Sequence, residues 1–186
     1  MDLYNNISRR GLLKGGLVMA AGLLLPAPGF CRSGQILSGE RAISLFNLHT
    51  GEELDELTYW IDGEYLPDSL ERFNWLLRDH RTDEVHSMDP ALFDLVHAIT
   101  SRLCSSDPVQ IISGYRSPET NRALRKQSSG VASNSLHMAG KALDIRVEGC
   151  GLENLKKTAK SLRAGGVGYY PKSRFVHIDT GRVRYW

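Results

Sequence analysis

The sequence predicts an α+β fold in which helices pack on a small, largely antiparallel sheet. Two hairpin-like patterns, over residues 42–61 and 166–180, bracket four amphipathic segments of helical period. Between those helices lie two short runs of strand period, Val109 to Ile112 and Lys141 to Val147.

From Ala42 to Ile61, apolar residues alternate on either side of His49-Thr50-Gly51-Glu52, as expected for two strands joined by a turn. Asp68 and Ser69 are capping residue types ahead of Leu70, Phe73, Trp75, Leu76 and Leu77, the apolar stripe of a first helix. Asp89-Pro90 starts a second helix with proline at its first position, where the missing N–H costs nothing. Its stripe is Leu92, Phe93, Leu95, Val96 and Ile99. The strand Val109 to Ile112 ends at Ser113-Gly114-Tyr115-Arg116-Ser117, and Ser117-Pro118 opens a third helix reaching about Lys126. Gln127 to Ser135 is a loop of small and polar residues. In Lys141 to Val147, Leu143, Ile145 and Val147 alternate with Asp144 and Arg146, the period of a strand with one buried face. Leu152, Leu155, Ala159 and Leu162 mark a fourth helix with lysines on its other face, stopped by Gly165-Gly166, and a closing hairpin spans Gly166 to Thr180.

The first residues read differently. Ser8-Arg9-Arg10-Gly11-Leu12-Leu13-Lys14 precedes an apolar, glycine-diluted run from Gly15 to Leu25, the form of a twin-arginine signal. That run is shorter than the roughly 20 residues a membrane span requires, so it is an address and not an anchor. The domains expected are a signal over residues 1–33 and one further domain over 34–186. The expected location is the periplasm, with the twin-arginine translocase as an export partner. Beyond residue 33 the chain has 19 basic and 20 acidic side chains, which leaves no basic excess to suggest nucleic acid. With 41% hydrophobic residues an ordinary core can form without staples, so Cys104 and Cys150 either pair or remain thiols.

Chemistry concentrates in three residues. Asp144 and His177 fall on the polar faces of two strands, and His137 lies in a serine- and glycine-rich approach to the first of them. Two imidazoles and one carboxylate suit zinc, and a set of three leaves the open position that distinguishes hydrolytic from structural sites. Singly, each residue reads as a solvated polar group; the combination carries the expectation of one Zn²⁺ per chain. His49, His80, His86 and His97 have no partner at ligand spacing and read as structural.

Ser113-Gly114-Tyr115-Arg116-Ser117, Ser135-x-His137-x-x-Gly140-x-Ala142-x-Asp144 and Val176-His177-Ile178-Asp179, in that order, resemble the zinc D-alanyl-D-alanine peptidase family. Within it, the chain is similar to the YcbK-like (MepK) murein endopeptidases along essentially its whole length. The resemblance implies a hedgehog or lysostaphin-type fold and zinc-dependent hydrolysis of peptidoglycan peptide cross-links. L,D links between two diaminopimelate residues are favoured, with D,D links as the alternative. It implies His137, Asp144 and His177 as ligands and Arg116 as the group facing the substrate carbonyl. The general base departs from the family pattern, because the positions three and two before the last ligand are Arg174 and Phe175. Asp179 is then either the base or a partner that orients His177. Tyr115, Ser135, Tyr169 and Tyr170 are candidates for lining the substrate groove. The rival readings are a non-catalytic zinc-containing module that binds cell-wall peptide and a D,D-carboxypeptidase.

Overall fold

The computed structural model describes residues 39–128 and 130–186. The signal expected at residues 1–33 lies outside the described residues. Eight strands form one mixed sheet: β1 (Glu40–Asn47), β2 (Glu53–Ile61), β3 (Glu64–Tyr65), β4 (Val109–Ser113), β5 (Ala142–Val147), β6 (Gly166–Tyr170), β7 (Phe175–Asp179) and β8 (Arg184–Tyr185). Their order is β3-β2-β1-β4-β5-β7-β6-β8. Only the β1–β4 and β6–β8 pairs are parallel, so the α+β class and the antiparallel bias both hold. The helices are α1 (Pro67–Leu76), α2 (Pro90–Leu103), α3 (Pro118–Gln127) and α4 (Leu152–Leu162). None of the described helices is long and apolar enough to cross a membrane.

The alternation read from the sequence becomes the core. Leu45, Ile111, Leu143, Ile145, Val176 and Ile178 meet Phe73 of α1, Leu92, Phe93 and Ile99 of α2, and Leu155 of α4. Helices α2 and α4 also touch each other, α2 packing on β1 and α4 on β5, β6 and β7. The turn between β1 and β2 is built on buried Asn47. Its Oδ1 accepts from the backbone of His49 and Thr50, its Nδ2 donates to the Leu76 carbonyl, and Gly51 takes the positive φ of 73° that the tight return needs.

Three local expectations are corrected and one open alternative is decided. Helix α1 starts at Pro67 after Leu66, not at an Asp68 or Ser69 cap, and the Ser69 hydroxyl instead donates to the Thr58 carbonyl. Trp75 is not part of the buried stripe: it is 54% exposed, with the Arg78 guanidinium over its ring. Helix α4 ends on Arg163 in the left-handed conformation, so Gly165 and Gly166 serve another purpose, close approach to Asp179. Cys150 is a free thiol, so it does not pair with Cys104.

Asp94 of α2 ties the β2–β3 edge to the helical layer. Its Oδ1 accepts from Arg41 at 2.7 Å and from the Tyr59 hydroxyl at 3.0 Å, and its Oδ2 accepts from the Tyr65 hydroxyl at 2.6 Å. Burial, reinforced by the Asp94 charge, raises the Tyr59 pKa, so this fully buried phenol stays protonated and must donate. Asp94→Ala leaves that hydroxyl without an acceptor and should cost about 1 to 3 kcal/mol, read as a lower urea midpoint at unchanged slope.

Candidate metal centre

Strand register assembles the centre. Ser113 of β4 lies opposite Asp144 of β5, Asp144 opposite His177 of β7, and His177 opposite Gly168 of β6, so the four residues form one row across the sheet. His137 arrives from outside the sheet on a 3-10 turn, Leu136–Ala139, which ends at Gly140 with φ 64°. A Cβ at Gly140 would meet the Ser87 carbonyl at 2.3 Å, so glycine is required there for both conformation and space.

Hydrogen bonds then fix the ring orientations. His137 Nδ1 lies 2.8 Å from the Gly114 carbonyl. A carbonyl only accepts, so Nδ1 carries the proton and Nε2 is left as the ligating nitrogen. That Nε2 is 3.2 Å from His177 Nδ1 and 3.3 Å from Asp144 Oδ1, and His177 Nδ1 is 2.8 Å from the same oxygen. Three donors thus converge, and all three residues are buried. Tetrahedral zinc with bonds of about 2.0–2.1 Å has ligand–ligand edges of about 3.3 Å, so the triangle and its nitrogen and oxygen donors fit that ion.

Behind His177, its Nε2 lies 3.2 Å from Asp179 Oδ2. Asp179 is fully buried and both its oxygens are engaged: Arg184 reaches Oδ2 at 2.7 Å and Oδ1 at 3.1 Å, and the amides of Gly166 and Gly181 reach Oδ1. Burial disfavours the Asp144 and Asp179 charges. Nevertheless, the His137 and His177 imidazoles around Asp144, and the His177 and Arg184 contacts to Asp179, hold both carboxyls below the usual range. Burial lowers the His177 pKa, but the two flanking carboxylates outweigh it and the net shift is upward.

Arg116 lies at the side of the triangle, its Nη2 3.5 Å from Asp144 Oδ2 and 3.2 Å from Ser113 Oγ. Burial pushes its guanidinium below the ordinary value, with Asp144 opposing, and its buried Nε has no partner among the described residues. The triangle opens into a cleft of about 470 Å³. One wall is the loop through Ser128, Gly130 and Ser135, tethered where Asn121 Nδ2 donates to the Ala132 carbonyl; the other wall includes Tyr170, Phe175, Arg184 and Trp186.

Of the four groove candidates, Ser135 and Tyr170 line this cleft. Tyr115 does not: it is 5% exposed, its hydroxyl donates to Glu84 and its ring stacks on His86. Burial and the Glu84 acceptor push the Tyr115 phenol up to about 12. Tyr169 also lies off the cleft, its ring under the Lys156 ammonium. His49 and His80, read as lacking partners, stack on each other at 3.8 Å, and burial takes His80 down to about 4.

Trp186 and Arg184 border the centre, although the sequence motifs do not single them out. Gly168 leaves room for the Trp186 indole, which a Cβ there would meet at 2.6 Å. The indole lies 5.4 Å from the His177 ring and donates to the Tyr170 hydroxyl at 2.7 Å. The alternation of Arg182, Arg184 and Trp186 with Val183 and Tyr185 is the one local signal for them, a short strand after the Gly181 turn.

In metal-free protein the raised His177 pKa contributes stability that is full below the unfolded value of about 6.5 and is lost as pH rises through the folded value. Asp179→Asn removes one of the two carboxylates responsible. The His177 proton resonance should therefore titrate at lower pH in this variant than in the parent, and an equal or higher midpoint would contradict the assignment.

Comparison with known proteins gives consistent matches. The family model Peptidase_M15_2, described as peptidoglycan L,D-endopeptidase MepK, matches residues 36–186. The chain is 44% identical over 187 residues to the peptidoglycan L,D-endopeptidase MepK of Escherichia coli (strain K12), covering 100% of both chains, and the same figures hold for that of Shigella flexneri. It is 40% identical to the probable peptidoglycan L,D-endopeptidase MepK of Haemophilus influenzae, covering 100% of this chain and 98% of the relative.

Proposed function

The chain belongs to the MepK family of M15 peptidases, and on that premise we propose that it is a zinc-dependent murein endopeptidase that hydrolyses peptide cross-links, preferentially the L,D link between two diaminopimelate residues. The observation that carries this reading is the convergence of His137 Nε2, His177 Nδ1 and Asp144 Oδ1 at the floor of a cleft.

His137, Asp144 and His177 would hold one zinc ion. When bound, zinc polarises the scissile carbonyl and makes water a competent nucleophile near neutral pH. The protein's own groups do the rest. The Gly114 carbonyl and Asp179 fix the two imidazoles in their ligating orientations. Arg116, with an unpartnered buried N–H, offers a donor to the oxygen on which negative charge develops. Tyr170, Phe175 and Trp186 supply apolar surface for the aliphatic parts of the stem peptide, and Ser135 can bond a peptide amide. The oxygens of Asp179 are already taken by donors, which favours the orienting role over that of the base. Arg174 and Phe175 cannot accept a proton, and among the described residues Asp144 is the one carboxylate lining the cleft.

We also read residues 1–33 as the twin-arginine signal and 34–186 as the zinc peptidase domain, with export to the periplasm where the substrate lies. Arg9-Arg10 and the short apolar run after them support this reading.

Purified protein incubated with soluble muropeptide dimers of each linkage should release monomers from the diaminopimelate–diaminopimelate dimer. Chelator should abolish release and zinc should restore it. Absence of chelator-sensitive monomer release from either linkage would leave the non-catalytic module, and release of single D-alanine residues would indicate a carboxypeptidase. For Asp179→Asn, zinc affinity measured by competition with a chromogenic chelator should fall on the order of 10- to 100-fold. Full zinc content with lost turnover would instead make Asp179 the base.

A further inference from the structure

Charge is divided between the two halves of the chain. Residues 40–107 carry fifteen acidic and five basic side chains, whereas residues 116–186 carry five acidic and fourteen basic ones. The sheet order converts this asymmetry into a spatial one, with β3, β2 and β1 on one side and β5, β7, β6 and β8 on the other. A domain of nearly zero net charge therefore has an acidic side and a basic side. The cleft opens on the basic side.

The same side carries a second hollow, of about 690 Å³, between α4 and β8. Lys156, Lys157, Lys160 and Arg163 line it together with Val183 and Tyr185. Glu153 offsets Lys156 at 2.7 Å, but Lys157, Lys160 and Arg163 have no ion pair among the described residues. Like charges three and four residues apart on a helix destabilise it, so folding alone gives no reason to collect them there. The Tyr185 hydroxyl donates to the Lys160 carbonyl at 3.2 Å and the Lys160 ammonium sits 4.6 Å from the Tyr185 ring, and the residue is 42% exposed. Alternation along residues 183–186 links the two concavities: Arg184 and Trp186 line the cleft, while Val183 and Tyr185 line the hollow.

We infer that this hollow is a second docking surface for the murein network, in which Lys157, Lys160 and Arg163 engage stem-peptide carboxylates while the Tyr185 ring packs against sugar faces, outside the cleavage cleft. The inference rests on the reading of murein as substrate. A polymer bearing both carboxylates and sugars matches the mixture of cations and one exposed aromatic ring. A membrane surface matches it less well, because binding there requires large apolar residues on the outward face of a helix, and the exposed positions of α4 are Glu153, Asn154, Lys157 and Ser161.

The test is co-sedimentation of chelator-treated protein with isolated sacculi across a salt series. Parent protein should sediment at low salt and be released as salt rises. The K157E/K160E/R163E variant should lose on the order of tenfold in bound fraction, and the milder K157Q/R163Q pair should lose part of it. The charge-keeping K157R/K160R/R163K variant should bind like the parent. Cleavage of soluble dimers should stay unchanged in all three variants, which also shows that they fold. Equal sedimentation of the charge-reversed variant, loss of binding in the charge-keeping one, or binding to phosphatidylglycerol vesicles but not to sacculi would each overturn the inference. Binding without cleavage of any dimer would overturn the enzymatic reading while leaving the docking surface standing.

Discussion

The ionised, fully buried carboxylate of Asp179 is the constraint on which the centre depends. Removing such a charge from water costs several kcal/mol unless it is closely paired and its remaining lone pairs are satisfied. Here Arg184 contacts both oxygens, two backbone amides donate to one of them, and His177 Nε2 approaches the other. Each partner is fixed in turn. The amide of Gly166 can reach Asp179 only because residues 165 and 166 have no Cβ, which at Gly165 would fall 1.7 Å from the Asp179 carbonyl. Arg184 brings β8 against β6, and Trp186 follows it onto His177. The interaction that orients one imidazole therefore also anchors the last strand and builds a wall of the cleft.

Register supplies the second element of the design. A one-residue slip in the β5–β7 pairing would send Asp144 or His177 to the core face, where Leu143, Ile145, Val176 and Ile178 now sit. Burial of those four side chains thus protects the position of the polar pair opposite them. His137 lacks this protection and depends on loop geometry, which explains the tight Gly140 turn and the bond to the Gly114 carbonyl.

What could be read from the sequence follows from the range of the forces involved. Period-two alternation is local, so the faces of β5 and β7, and with them Asp144 and His177, were legible. So was α2, whose Asp89 side chain caps the helix ahead of Pro90. The start of α1 was displaced because Ser69 found a distant acceptor, the Thr58 carbonyl, which no local rule reveals. Gly165 and Gly166 resembled a helix stop, yet their lack of side chains answers to Asp179, which is more than ten residues away along the chain. Tyr115 sits inside the recognisable Gly-Tyr-Arg-Ser motif, but whether its ring faced the cleft or Glu84 was a matter of packing. The stacked pair His49 and His80 likewise arises from two turns brought together by the fold.

The two positions where the family resemblance would place a general base perform different physical tasks in this chain. Arg174 adopts a left-handed φ of 56° in the β6–β7 turn, and Phe175 stacks on Tyr170 at 4.6 Å. Tyr170 in turn accepts from the Trp186 indole, so three aromatic rings form one continuous wall beside His177. Such a wall sets apolar surface in place of water along that side of the cleft, which lowers the local dielectric. Electrostatic interactions strengthen as the dielectric falls, and the pair facing this cleft is Arg116 and Asp144, 3.5 Å apart. In the proposed reaction Phe175 supplies no proton acceptor, but the wall it belongs to makes the Arg116 charge more effective at the oxygen where negative charge develops. The two effects act on different parts of the same transition state, so the proposed chemistry at this centre leans on electrostatic stabilisation by Arg116.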